Sequence, residues 1–147
     1  MVWSLKVFPR DDSIHMFKKD ETVVIVDPVM GDWGKLYVSY SPALSEKMKQ
    51  LLPLADVITP NLTEASRLLG IPYPGNRDLT DQELEEIARA LSEKGPSQVV
   101  ITGISRKENV GNYVFERGRP PAYIGRRRTK RYRGRIYRHP YRMSCPR

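Results

Sequence analysis

Thr22-Val-Val-Ile-Val-Asp-Pro-Val-Met-Gly-Asp32 is the stretch that decides the fold, because an apolar, β-branched run stops abruptly at Asp27-Pro28. Such a run predicts a buried strand, and the proline opposes its continuation. The same arrangement recurs at Asp56-Val-Ile-Thr59 and again at Gln98-Val-Val-Ile-Thr102. The sequence therefore predicts three short strands, each followed by a polar loop.

Helix signals separate these strands. Ser41-Pro42 offers a serine N-cap and a proline at the first helical position, and Pro53 ends the apolar stripe that follows. Asn61-Leu-Thr-Glu64 and Thr80-Asp-Gln-Glu83 each place a glutamate three residues after an N-cap residue. This spacing is typical of the capping box, so two further helices are predicted.

Alternation of strands with helices predicts parallel pairing, because parallel neighbours need a crossover of about a dozen residues or more. The predicted fold class is α/β, with a mainly parallel sheet. In open sheets of this class, ligands bind beyond the carboxyl ends of the strands. Asp27, Thr59 and Thr102 each follow or end a strand, so we expect their loops to share one edge.

Two carboxylates flank the Pro-Val-Met-Gly turn, Asp27 before it and Asp32 after it. Such a pair can hold a hydrated magnesium ion or accept a proton near a phosphate. The alternative is structural: Asp27 caps a turn and Asp32 lies in an ordinary loop. Residue types alone leave both interpretations open.

Asn61 and Glu64 also have two interpretations. A capping box explains both residues without any ligand. In the functional alternative, the helix N-terminus faces anionic phosphates while Glu64 orients metal-bound water. The two roles are compatible, and spacing alone does not choose between them.

The segments Asp27-Pro-Val-Met-Gly-Asp-Trp-Gly-Lys-Leu-Tyr37 and Thr59-Pro-Asn-Leu-Thr-Glu-Ala65 together resemble the pyridoxal and pyridoxamine (vitamin B6) kinases of the ribokinase-like superfamily. The resemblance covers about residues 14–118 and implies part of a ribokinase-like three-layer sandwich. Members of that family use ATP and Mg²⁺ to phosphorylate the 5′-hydroxyl of a B6 vitamer, and they are often homodimers. ATP and a B6 vitamer are therefore the expected partners.

The same resemblance implies roles for individual residues. Asp27, Asn61 and Glu64 would hold Mg²⁺, partly through water, and Tyr37 would lie near the transferring group. The implied ATP-phosphate site comprises Asp27, Asp32, Tyr37, Thr59, Asn61, Glu64 and Thr102.

Both ends of the chain depart from the family pattern. Residues 1–13 form an atypical start, and the family segment that supplies the first strands and most of the vitamin pocket is expected to be absent. Where the family places Gly-Thr-Gly-Asp, with its catalytic base, this chain reads Tyr132-Arg-Gly-Arg135, and no acidic residue follows Glu116. No catalytic residue can be assigned, and we expect an inactive fragment.

Charge is segregated along the chain. All 17 acidic residues lie at or before Glu116, whereas 12 of the 25 Lys and Arg residues follow it. We predict that residues 119–147 form a basic, disordered tail. One interpretation is that residues after about 124 are a frameshift product, since a one-base shift with suitable codons restores Thr-Gly-Asp-Gly. The alternative is a nucleic-acid-binding segment, in which arginine neutralises phosphate and tyrosine stacks on bases.

The single cysteine and the first residues of the sequence indicate the cellular compartment of the protein. Cys145 is the only cysteine, so one chain cannot form an internal disulfide. The start of the sequence has neither the apolar region of a signal peptide nor a membrane-spanning run. We expect a cytoplasmic protein with no membrane partner.

Overall fold

A six-stranded mixed sheet forms the centre of the fold in the computed structural model, which describes residues 2–5, 20–38, 40–75 and 77–128. A separate small hairpin pairs β3 (Gly31–Asp32) with β4 (Lys35–Leu36). The strands of the large sheet, in spatial order, are β1 (Val2–Leu5), β2 (Val23–Val26), β5 (Val57–Ile58), β6 (Gln98–Arg106), β7 (Asn109–Glu116) and β8 (Ala122–Arg127).

The large sheet contains both parallel and antiparallel strand pairs. Strands β1, β2, β5 and β6 are parallel neighbours, whereas β6, β7 and β8 form an antiparallel meander. Long connections containing helices join the parallel strands β2, β5 and β6, while short turns join the antiparallel ones. The predicted α/β fold class, with a mostly parallel sheet and helices, is confirmed.

Three helices follow the predicted capping signals: α1 (Pro42–Gln50), α2 (Leu62–Leu69) and α3 (Asp81–Ser92). The Ser41 side chain caps α1, and complete capping boxes begin α2 and α3. Gly70 ends α2 in the left-handed conformation, with a φ of 71°. A short 3₁₀ turn at Leu52–Leu54 links α1 to β5.

The core lies between these helices and one face of the sheet. The guanidinium of Arg89 on α3 lies 5.7 Å from the centre of the Phe115 ring on β7, which fixes the face that α3 covers. Because β2, β5 and β6 follow one another in a single direction across the sheet, right-handed crossovers place their connecting helices on the same face. The buried strand residues on that face are Val24, Val26, Ile58, Val99, Ile101, Ile104, Tyr113 and Phe115.

Strand β6 extends beyond its predicted end at Thr102, because a bulge carries it past Gly103. The register with β7 shifts between Ile101 and Ile104, and Gly103 has a φ of +71°. A regular strand would turn residues three apart to opposite faces, yet both isoleucines are buried. The bulge therefore keeps two apolar residues in the core directly beside Thr102.

Two strands lie in segments that the sequence assigned to the ends of the domain. β1 falls within residues 1–13, where an atypical start was expected, and pairs in parallel with β2. β8 places residues up to Arg127 in the sheet, whereas a disordered tail was expected from residue 119. Pairing with β7 forms this strand although five of its six residues are exposed. Residues 129–147 lie outside the described residues, and the division into domains stays a prediction.

The described helices are short compared with a membrane-spanning helix. Among the described residues, no helix is both long enough and apolar enough to cross a bilayer.

Gly95 tests the packing of α3 against the 3₁₀ turn. A Cβ at this position would lie 2.3 Å from the carbonyl oxygen of Leu52, and the φ of Gly95 is +147°. We expect Gly95→Ala to lower the free energy of unfolding by about 3 kcal/mol, through the clash and the backbone strain. Gly118→Ala is the matched control, because Gly118 has a φ of +82° and open space around it. Equal losses in urea unfolding would contradict the packing described here.

Candidate functional site

The site is organised around Glu64, a charged side chain that is only 4% exposed. Its Oε2 accepts the backbone N–H of Asn61 at 2.8 Å, as the capping box requires. Its Oε1 accepts the backbone N–H of Met30 at 3.1 Å, across 34 positions of sequence. One carboxylate therefore joins the first turn of α2 to the loop that follows β2.

Asn61 makes the second link between the same two segments. Its Oδ1 accepts the backbone N–H of Glu64 at 3.0 Å, which completes the cap. Its Nδ2 donates to the carbonyl oxygen of Gly31 at 2.8 Å. Both ends of the amide are thus engaged, and the side chain fixes the start of the β3–β4 hairpin.

Thr63 holds the turn of that hairpin. Its Oγ1 accepts the backbone N–H of Gly34 at 2.8 Å, and the residue is only 2% exposed. The two turn residues, Trp33 and Gly34, have φ values of 52° and 77°, as the right-handed twist of a two-residue hairpin favours. Trp33 is strained in this conformation, and its N–H donates to Oδ1 of Asp32 at 2.9 Å.

Burial determines the acidity of Glu64. Loss of water around the carboxylate is the largest effect and raises its pKa to about 7, with a smaller contribution from the negative charge of Asp27. Hydrogen bonds from the backbone of Asn61, Met30 and Gly31 act in the opposite direction. The two carboxylates therefore interact across the site, and a cation between them would favour the ionised form of both.

The loops after β2 and β5 meet Thr102 at one edge, as the sequence predicted, although Thr102 lies within β6 and does not end it. Thr59 donates its N–H to the carbonyl oxygen of Val26 at 3.1 Å, beside the half-buried Asp27. Asn61 and Thr102 form a parallel bridge, and the N–H of Thr102 donates to the carbonyl oxygen of Pro60 at 2.8 Å. The edge therefore carries Asp27, Thr59, Asn61, Glu64 and Thr102 together.

Asp32 and Tyr37 occupy the hairpin rather than the floor of this edge. Both are exposed, and Tyr37 donates its backbone N–H to the carbonyl oxygen of Met30 at 3.0 Å. The charge of Asp32 is felt by Tyr73, whose pKa is raised mainly by burial and secondarily by Asp32. The hairpin segment therefore presents these two side chains to solvent.

Three residues of this region were not predicted as site residues: Thr63, Tyr40 and Tyr73. Thr63 stands inside the capping box, where its spacing gave no signal. Tyr73 lies against the hairpin, since a Cβ on Gly34 would meet its ring at 2.7 Å. Contacts over such sequence distances leave no periodic pattern, so only the folded chain reveals them.

Tyr40 shows whether a hydrated cation fits here. Its hydroxyl oxygen is buried and has no hydrogen-bond partner among the described residues. Burial chiefly raises the pKa of this phenol, and the charge of Glu64 adds to the effect. A buried hydroxyl near a carboxylate is a favourable place for an ordered water. Mg²⁺ keeps several waters and needs only one or two carboxylates, so the residues present suit it.

A Mg²⁺ ion at this site would have few direct protein ligands. Within the described ranges, no group of three or more His, Cys, Asp and Glu residues is arranged to hold a metal ion. Glu64 already accepts backbone N–H groups on both oxygens, and the Asn61 amide is engaged at both ends. Asp27 is thus the better placed direct ligand, while Glu64 and Asn61 fit contacts through water.

Comparison with known proteins identifies the family of the chain. The family model for phosphomethylpyrimidine kinase matches residues 12–134. The chain belongs to this kinase family. The hydroxymethylpyrimidine/phosphomethylpyrimidine kinase of Haemophilus influenzae is 39% identical over 80 residues, which are 54% of this chain and 28% of that protein. The pyridoxal kinase of Arabidopsis thaliana is 40% identical over 81 residues, which are 55% of this chain and 24% of that protein.

Solved structures extend the match to the fold. A candidate phosphomethylpyrimidine kinase from Bacteroides thetaiotaomicron superposes with a TM-score of 0.76 at 38% identity, over 81% of this chain and 41% of that chain. A second crystal form of that protein contains pyridoxal. The pyridoxal kinase of Staphylococcus aureus, in complex with AMP-PCP and pyridoxal, gives 0.56 at 26% identity, over 71% of this chain and 35% of that chain.

These matches confirm the predicted resemblance to vitamin B6 kinases and the ribokinase-like fold. This kinase-family chain spans about a quarter of the length of the two curated relatives, and 41% of the Bacteroides chain. Complexes with an ATP analogue and with pyridoxal belong to those neighbours.

The burial of Glu64 predicts a specific pH dependence of stability. The fold favours the protonated carboxyl, whose pKa is about 7 in the folded chain against an ordinary 4.5. Its contribution is therefore fully present below about pH 4.5 and is lost as the pH rises through about 7. We expect Glu64→Gln to remove this loss, so the difference in unfolding free energy between the two proteins changes by up to about 3 kcal/mol over that range.

Glu86→Gln on α3 is the control for this measurement, because Glu86 is exposed. It should follow the pH profile of the unmodified chain. Parallel profiles for the unmodified chain and Glu64→Gln in denaturant titrations would contradict the proposed effect of burial.

Proposed function

We propose that this chain provides the phosphate- and magnesium-binding part of a kinase that transfers phosphate from ATP to the 5′-hydroxyl of a B6 vitamer. The observation that carries the proposal is the pair of links from Asn61 and Glu64 to the β2 loop, which fixes polar backbone and two carboxylates at one edge. Relatives that act on B6 vitamers and on pyrimidines support the substrate class.

The residues at this edge receive the following roles in the proposal. Asp27 holds Mg²⁺ directly, and Glu64 orients water bound to it. Thr59 and Asn61, at the positive end of α2, face the phosphates, and Thr102 contacts an ATP phosphate. Asp32 and Tyr37, which are exposed on the hairpin segment, approach the transferring group. Bound Mg²⁺ would neutralise phosphate charge during transfer.

Turnover by this chain is a separate question. The family's base lies in a Gly-Thr-Gly-Asp segment, where this sequence reads Tyr132-Arg-Gly-Arg135 and no acidic residue follows Glu116. Loss of a general base commonly costs a factor of about 10² to 10⁴. We therefore propose that the chain binds nucleotide but turns over negligibly by itself, and that it acts in the cytoplasm.

Calorimetric titration of the full chain with ATP tests the site. We expect binding that requires Mg²⁺ and disappears in EDTA. Asp27→Asn should weaken the Mg²⁺-dependent binding by about 10-fold or more, because a charged ligand interaction is lost. Asp20→Asn is the matched control, since Asp20 precedes the amino end of β2 and is exposed. Equal affinities for all three proteins would contradict the assignment of Asp27.

The same samples, supplied with pyridoxal, separate binding from catalysis. Formation of pyridoxal 5′-phosphate should stay at the level of a chain-free control. Appreciable product would show that the tail does not abolish catalysis.

A second candidate function is favoured by the charge beyond Glu116. Arg126, Arg127 and Arg128 are exposed at the end of β8, where the chain continues into the basic residues 129–147. We propose nucleic-acid binding by this segment as the alternative function.

Binding of single-stranded RNA to the full chain should fall steeply with salt and disappear when residues 129–147 are deleted. The deletion must start after Arg128, because β8 belongs to the sheet. Asp27→Asn should leave RNA binding unchanged. Binding that survives the deletion, or that ignores salt in filter-binding titrations, would contradict this alternative.

A further inference from the structure

Two buried hydroxyl groups at the start of α1, those of Tyr40 and Ser45, have no hydrogen-bond partner among the described residues. Buried polar groups in folded proteins are nearly always hydrogen-bonded, either to the protein or to ordered water. A phenol and a serine hydroxyl can each donate one hydrogen bond and accept others. Both groups therefore require a partner other than the side chains and backbone of this part of the chain.

Tyr40 and Ser45 occupy paired positions at the helix start. Ser41 is the N-cap of α1, so Tyr40 directly precedes the cap and Ser45 is the fourth residue after it. Side chains at these two positions pack against each other in the hydrophobic staple. Tyr40 packs against the core, as does Met48, which lies about one turn beyond Ser45. Both hydroxyls are therefore expected on the inner side of α1, next to each other.

Three hydrogen bonds connect the backbone of Tyr40 to the Glu64 carboxylate. The N–H of Tyr40 donates to the carbonyl oxygen of Tyr37 at 2.9 Å, and the N–H of Tyr37 donates to that of Met30 at 3.0 Å. The N–H of Met30 in turn donates to Oε1 of Glu64 at 3.1 Å. The charge of Glu64 raises the pKa of the Tyr40 phenol, after the larger effect of burial. Hydroxyl and carboxylate are therefore neighbours, although no direct hydrogen bond joins them.

One water molecule would satisfy all of these groups. Polar groups that lie just beyond hydrogen-bond distance are commonly bridged by water. A buried water needs about two to four polar partners, and here it would have the hydroxyls of Tyr40 and Ser45 and the carboxylate of Glu64. A carboxylate offers about four acceptor positions. The N–H groups of Met30 and Asn61 therefore leave Glu64 able to accept another hydrogen bond.

We propose that the hydroxyls of Tyr40 and Ser45 hold a water molecule that donates a hydrogen bond to Glu64, and that Tyr40 is thereby a positioning residue. The donated bond holds the carboxylate in the orientation that accepts hydrogen bonds from the waters of Mg²⁺. This second step rests on the proposed function, in which Glu64 orients metal-bound water. Neither hydroxyl belongs to the motifs that resemble vitamin B6 kinases, which end at Tyr37 and begin again at Thr59.

Tyr40→Phe removes only the hydroxyl, so it tests the water in the full chain without any ligand. Loss of a hydrogen bond to a buried water should raise the equilibrium constant for unfolding about 3-fold to 10-fold in urea titrations. A hydroxyl with no partner at all predicts the opposite sign, because its removal relieves a buried unsatisfied group. An unfolding constant that is unchanged or smaller would overturn the proposal.

A double-mutant cycle tests whether the two hydroxyls share one water. Ser45→Ala should destabilise the Tyr40→Phe chain less than it destabilises the unmodified chain, because the water is already lost. We expect a coupling of at least about 3-fold in the unfolding constant. The cycle cancels the change in helix propensity, which Ser45→Ala brings in both backgrounds. Additive effects would show that the hydroxyls have separate partners and would overturn the shared site.

Calorimetric titration with ATP in Mg²⁺ tests the positioning role. Tyr40→Phe should raise the dissociation constant about 3-fold to 10-fold under conditions where the chain is fully folded. Tyr123→Phe is the matched control, because the Tyr123 hydroxyl donates to the carbonyl oxygen of Ile104 at 3.2 Å. Tyr123 lies on β8, at the far side of the sheet from β2 and β5, so its loss should lower stability and leave the affinity unchanged.

The stability and binding measurements separate this inference from the proposed function. Coupled hydroxyls in a chain that binds no ATP would support the shared water and contradict both the proposed function and the positioning role. Additive hydroxyls in a chain that binds ATP would overturn the shared water and leave the phosphate site standing. Equal ATP affinities for the unmodified chain and Tyr40→Phe would overturn the positioning role, because a hydroxyl of purely structural importance changes stability alone.

Discussion

The site depends on Glu64, whose carboxylate accepts backbone N–H groups from two segments. One donor is Met30, 34 positions away in the loop after β2, and the other is Asn61 at the start of α2. The bond to Met30 is the contact by which a charged group on α2 holds the loop after β2. The Asn61 amide makes a second link, at Gly31, so two side chains join the loop to the helix start. Local capping and long-range assembly are thus performed by the same side chains.

Burying that carboxylate raises the free energy of its ionised form, and a bound cation would offset this cost. Desolvation and Asp27 raise the pKa of Glu64 to about 7, and Tyr40 adds a buried hydroxyl with no partner among the described residues. Hydrated Mg²⁺ would relieve the repulsion between the carboxylates and bind water near the hydroxyl. In the proposed function, features that make the free chain less stable are therefore the same features that would suit it to bind a metal and phosphate.

Sequence reasoning predicted the elements whose signals are local. The capping boxes at Asn61 and Thr80, and the strands ending at Asp27 and Thr59, needed only neighbouring residues. It missed β8 and the bulge at Gly103, because these depend on pairing with β7. Likewise, spacing suggested Glu64 as a cap but gave no sign of its bond to Met30. Contacts made across the fold carry no periodicity in the chain.

Amide hydrogen exchange at Met30 tests the central claim most directly. If Glu64 anchors the loop, the Met30 amide is protected in the unmodified chain and exchanges much faster in Glu64→Ala. Amides of the α3 core, such as that of Leu84, should change much less between the two proteins. Equal protection of Met30 in both proteins would contradict the account, because the loop would then be held without the carboxylate.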